Sequence, residues 1–70
     1  MNKTPYSFEI PCKNGGICEG KGFSTIEECI DQCKMMCKSL GVDYNDREVK
    51  LFKTDADGKW EVTEEGELAG

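Results

Sequence analysis

The sequence has no histidine and a single tryptophan, Trp60. Without imidazole it lacks the side chain that most often serves as a metal ligand or as a base near neutral pH, so its chemistry rests on thiols and carboxylates. No phosphate-binding loop and no nucleophile motif appears, and the expectation is a protein that is not an enzyme. Apolar runs are short, far below the roughly 18 residues of a membrane span. The first residues, MNKTPYSFEIPC, contain no apolar stretch of the signal-peptide kind. That predicts a cytoplasmic chain with reduced thiols, or a secreted one if the cysteines are bonded.

Basic charge is also scarce. Residues 1–41 balance five lysines against five acids, whereas residues 42–70 set Arg47, Lys50, Lys53 and Lys59 against nine acids, giving the net −5. A nucleic-acid interface needs a basic stripe to meet phosphates, and none is present. The acidic second part reads instead as a solubilising or partner-facing surface. With 70 residues, 37% of them hydrophobic, the chain is one small domain. A core of that size contributes only about 3–5 kcal/mol, so added staples are expected.

Cysteine is what the sequence has in excess: five, at 12, 18, 29, 33 and 37. Three lie in the stretch that organises the chain, Ser24 to Leu40. Ser24 is the expected N-cap, with Glu27 completing a capping box, and Gly41 is the expected left-handed stop. At helical spacing, Ile26, Cys29, Ile30, Cys33, Met36, Cys37 and Leu40 share an arc of about 120°, with Met35 outside it. Upstream, Phe8 to Cys12 reads as a short strand that Pro11 ends or confines to a sheet edge. Asn14-Gly15 predicts a type I′ hairpin turn flanked by Cys12 and Cys18, with Ile17 to Phe23 as the return strand. Downstream, Val49–Lys53 and Trp60–Thr63 read as strands of a second hairpin with Trp60 and Val62 facing inward. The expected fold class is small α+β in the order ββαββ, with a helix at about 25–40, one domain over residues 1–63 and an acidic, mobile tail over 64–70.

Thiolates one helical turn apart can converge on one ion, and a tight turn can supply two more. Cys12, Cys18, Cys29, Cys33 and Cys37 are therefore the candidate metal ligands. Residues 8–38 resemble a stretched ββα zinc finger, in which Cys12 and Cys18 flank the hairpin and Cys33 and Cys37 form the helical pair. Phe23 and Ile30 would make its small core. The set Cys18, Cys29, Cys33 and Cys37 would instead suit a four-cysteine iron–sulfur cluster. The leading expectation is a non-enzymatic zinc or iron–sulfur module that acts by binding protein, as an accessory subunit of a larger complex. Met35, Tyr44 and Trp60 are its candidate anchors.

Two other resemblances point to disulfides. CKNGGIC resembles the Cys-x-Asn-Gly-Gly-x-Cys piece of epidermal-growth-factor modules. GGICEGKGFSTIEECIDQC resembles the C-terminal part of Kunitz domains, where a glycine-rich strand carrying one Cys leads to an E-E-C-x3-C helix. That likeness covers Gly15 to Cys33 and omits the inhibitory loop. It implies a stapled, secreted binding or inhibitor-like protein, with Cys29 and Cys33 on the helix paired to Cys12 and Cys18. Five buried free thiols are the third reading, since reduced cysteine packs as a small hydrophobe. Residues 53–64 also resemble an EF-hand loop, with Asp55, Asp57, Gly58 and Glu64 in matching places. Lys53 stands where the first carboxylate belongs, so an ordinary hairpin with weak or no calcium binding is expected.

Overall fold

A computed structural model describes residues 3–69. Two antiparallel hairpins and one helix follow in the order β1 (Tyr6–Pro11), β2 (Ile17–Phe23), α1 (Ile26–Leu40), β3 (Lys50–Asp55) and β4 (Gly58–Val62). The strands form one antiparallel sheet in the order β2-β1-β3-β4. This is the α+β, ββαββ arrangement expected from the sequence. The helix links edge strand β2 to β3 across the first strand, so it lies over the sheet and covers one of its faces.

Strand alternation decides what the helix covers. Phe8 sits opposite Gly20 on one side and Leu51 on the other, and Leu51 sits opposite Val62. That row, with Ile10 and its neighbour Cys18, forms the floor of the core. From above, α1 adds Ile26, Cys29, Cys33 and Cys37, all buried. Ile30, Met36 and Leu40 pack around them, and Met35 is 64% exposed, as its place on the helical wheel requires.

Several local expectations are corrected. The helix N-cap is Thr25, whose hydroxyl accepts from the Glu28 N–H, while Ser24 donates to the Glu28 carboxylate. The one-residue shift puts Glu28, rather than Glu27, in the place that completes the capping box. Gly41 is the left-handed stop, with φ 73° and its N–H directed at the Cys37 and Lys38 carbonyls. The first hairpin turn is not type I′. Gly15 alone takes a positive φ, 87°, its N–H bonds the Cys12 carbonyl, and the Cys12 N–H bonds the Gly16 carbonyl. That is the three-residue loop form, in which a left-handed glycine follows an ordinary turn and Asn14 keeps a negative φ.

Strand β1 is central, and it ends at Pro11, one of the two outcomes expected there. Pro11 is tolerated because its pairing is with β2 alone, at Ile17, while the ladder to β3 reaches only to Glu9. The region likened to a calcium loop is a β-hairpin in which Asp55 pairs with Gly58 and the Asp55 carboxylate accepts from the Asp57 N–H. Residues 64–69 fold back along the end of β4. Gly66 turns the chain with φ 81°, Leu68 bridges to Val62, and the Ala69 N–H bonds the Glu61 carbonyl at 3.0 Å.

Candidate functional site

The cysteines divide into two groups with different chemistry. Cys12 and Cys18 flank the first hairpin turn, where the loop of Lys13, Asn14 and Gly15 brings their Cα atoms to 6.2 Å, and they are joined as a disulfide. Cys12 is half-buried at the end of the hairpin. Cys18 points toward the helix side and packs against the core. The residues between them, Lys13 to Ile17, are exposed.

Cys29, Cys33 and Cys37 are free thiols, spaced one turn apart on the buried face of α1. Burial pushes the Cys29 thiol up to about 11, with the Glu28 carboxylate adding to the shift. Burial also lifts Cys33, to about 12, and the neighbouring Cys37 and Cys29 add to it. Cys37 rises by burial as well, opposed by a hydrogen bond from Cys33 and helped by Asp43. The thiolate is the nucleophile and the metal-binding form, and burial disfavours it at all three sulfurs.

Beside the thiols lies Tyr44, half-buried in the connection after the helix. Its hydroxyl is pushed up to about 12, first by burial and then by Glu64 and the three cysteines. Lys34 from α1 sits 5.1 Å from its ring centre. Tyr44, a candidate anchor on sequence, packs its ring against the edge of the core. The signal was faint, a lone aromatic in a polar connection whose docking depends on where the chain turns after Gly41. Trp60 is half-buried too, beside Val62, Gly66 and Leu68. Of the proposed anchors, Met35 remains open to solvent.

A four-thiolate centre requires sulfurs from the hairpin and the helix to converge on one point. The residues as folded do not fit that requirement. Cys12 and Cys18 are bonded to each other, and Cys29, Cys33 and Cys37 are stacked along one helix against an apolar floor. Among the described residues no three cysteine or carboxylate side chains form a group that could hold a metal ion. The pairing that the Kunitz resemblance implied is also different here, because Cys12 meets Cys18 rather than a helical cysteine.

No family model, no curated protein and no solved structure matches this chain. Its chemistry therefore has to be read from its own surface. An open cleft of about 540 Å³ runs between the connection 44–49 and the strand pair β3–β4, lined by both signs of charge, including Arg47, Lys50, Glu61 and Glu64. It holds no thiol, and nothing in it pairs a nucleophile with a base.

The sheet face away from the helix is a second feature. By register it carries Ser7, Glu9, Pro11, Ile17, Glu19, Lys21, Lys50, Phe52, Lys59 and Glu61. Lys59 lies 4.4 Å from the Phe52 ring centre and reaches Glu9 at 2.9 Å, so the one aromatic on this face is partly roofed by a cation. Ile17 ends the row at the hairpin tip and is 68% exposed.

Proposed function

We propose that this chain is a small, non-enzymatic protein-interaction module of an oxidising compartment, binding through the uncovered side and edge of its sheet. The division of the cysteines carries the reading: one bridge at an exposed hairpin tip, and three thiols sealed beneath the helix. Structural disulfides belong mostly to oxidising compartments and are frequent in small domains that need a staple. Thiols that take part in catalysis or exchange are accessible and have lowered pKa values, whereas these are closed off and shifted upward. Ile17, at the hairpin tip of the uncovered face, exposes apolar surface, which suits contact with another protein.

Intact mass spectrometry without reductant tests this reading directly. The expected mass is two hydrogens below the fully reduced chain, with no metal retained under native conditions, as one bridge requires. Alkylation after denaturation without reductant should add three labels, one for each free thiol, and alkylation of the folded protein should add none. A fully reduced chain carrying zinc or iron would overturn the proposal and return all five cysteines to metal binding. Loss of four hydrogens would overturn the division of the cysteines by adding a second bridge.

A further inference from the structure

The two edges of the sheet are treated differently. At the end of β4 the chain covers its own edge over Glu61 to Thr63: Leu68 bridges Val62, the Ala69 N–H bonds the Glu61 carbonyl, and the Thr63 N–H bonds the Glu67 carbonyl. Along β2, among the described residues, no strand pairs with the outer side. An open edge is a row of backbone donors and acceptors ready for another strand, and proteins usually block it with charge, proline or a bulge. Here the blocking is partial. Glu19 and Lys21 stand two residues apart on the face away from the helix, and Gly22, with φ 90°, ends the regular stretch beside the register shift opposite Tyr6 and Ser7.

We propose that the outer edge of β2 pairs antiparallel with β2 of a second copy of this chain. The proposal rests on the interaction-module reading and names the partner at its open edge. A two-fold axis perpendicular to the sheet keeps both helices on one side and joins two four-stranded sheets into one of eight. Such an axis sets residues of like orientation opposite one another, which leaves few registers to choose from. Centred on Glu19 it opposes two carboxylates; centred on Lys21 it opposes two ammonium groups. Centred on Gly20 it sets each Glu19 opposite the partner's Lys21, twice, and sets Cys18 opposite Gly22. Directly opposed charges of opposite sign stabilise a strand pair and like charges oppose it. The Gly20-centred register is therefore the one that the charge pattern selects.

The geometry near the axis agrees with close approach. Gly20 has no side chain, and the space that one would fill is taken by the Phe8 ring on the helix side. Glu19 and Lys21 lie 3.9 Å apart within one chain and are well exposed, so they are free to exchange that contact for one across the axis. Isologous pairing of this kind closes on itself as a dimer and leaves β4, covered at Glu61 to Thr63, at both outer ends.

Sedimentation of the full oxidised chain over about 1 µM to 1 mM tests the pairing, with Lys21→Glu and the exchanged double variant Glu19→Lys/Lys21→Glu measured beside it. The wild type should move from monomer to dimer within this range, and added salt should shift it toward monomer. Lys21→Glu turns both cross-axis pairs into repulsions and should raise the dissociation constant about tenfold or more, while the double variant should recover. Amide exchange at Glu19 and Lys21 should slow at high concentration only. A wild type that stays monomeric throughout overturns the pairing while leaving the interaction reading to its own test by mass and alkylation. A dimer unaffected by Lys21→Glu overturns it as well, by placing the contact elsewhere.

Discussion

Gly20 has no side chain because the Phe8 ring occupies the place one would fill. That ring also stacks on Phe23 with centroids 5.6 Å apart, so it cannot easily move aside. Gly20→Ala should destabilise the fold by about 1–3 kcal/mol, the cost of overpacking a filled core, read as a lower urea midpoint. The helix start offers a second residue-scale check. Thr25 accepts the Glu28 N–H, whereas Ser24 only donates to an exposed carboxylate. Thr25→Ala should therefore cost about 1 kcal/mol and Ser24→Ala a few tenths at most, compared by thermal unfolding. Equal losses at both positions would place the cap where the sequence pattern first suggested it.

At the scale of the helix, the thiol row makes stability depend on alkaline pH. Cys29 and Cys33 are raised from an ordinary 9.0 to about 11 and about 12. The folded state thus holds these protons more tightly than the unfolded chain does. Their contribution is fully present below about pH 9 and is lost as pH climbs through 11 and 12. The loss should reach about 1.4 kcal/mol per pH unit for each thiol that is ionised in the unfolded chain and protonated in the folded one. Tyr44, raised from 10.0 to about 12, adds to the fall above pH 10. Urea unfolding measured from pH 8 upward checks this, and Cys33→Ala should make the decline shallower. A stability flat to pH 11 would mean that the thiols are not sealed beneath the helix.

For the whole molecule, the disulfide is a local staple. Cys12 and Cys18 are six residues apart, and closing so short a loop restricts the unfolded chain by roughly 2 kcal/mol on chain-entropy reasoning. The core under α1 also draws on Phe8, Ile10, Leu51 and Val62, which the bridge does not hold. Reduction should therefore lower the urea midpoint while leaving the sheet and helix intact by circular dichroism, with Cys12→Ala/Cys18→Ala behaving like the reduced protein. Unfolding on reduction would show that the staple, rather than the helix–sheet core, carries the fold.

The element order, the helix and its buried face were legible in the sequence because they follow from local periodicity. Spacings of three and four put Ile26, Cys29, Cys33 and Cys37 on one side, and alternation put Phe8 with Ile10 on another. Gly41 announced the helix stop because a left-handed residue there is a local need. The fate of the five thiols was not legible in the same way. Helical spacing shows which sulfurs share a face, but not whether that face meets a metal, other sulfurs or an apolar floor. Tertiary structure decided this by setting β1 at the centre of the sheet, so that the helix closes over Phe8, Ile10 and Leu51 and three thiols are sealed. A local turn at Gly66 returned residues 67–69 to the β4 edge, while the pairing of β1 with both β2 and β3 left the far side of β2 open. Local sequence is enough to set the elements and their faces, since these depend on neighbours within a few residues. Only the assembled sheet determined which cysteines are buried beneath the helix and which edge is uncovered, because those depend on segments far apart in the chain, whereas the Cys12–Cys18 bond spans six residues and is decided within the first hairpin.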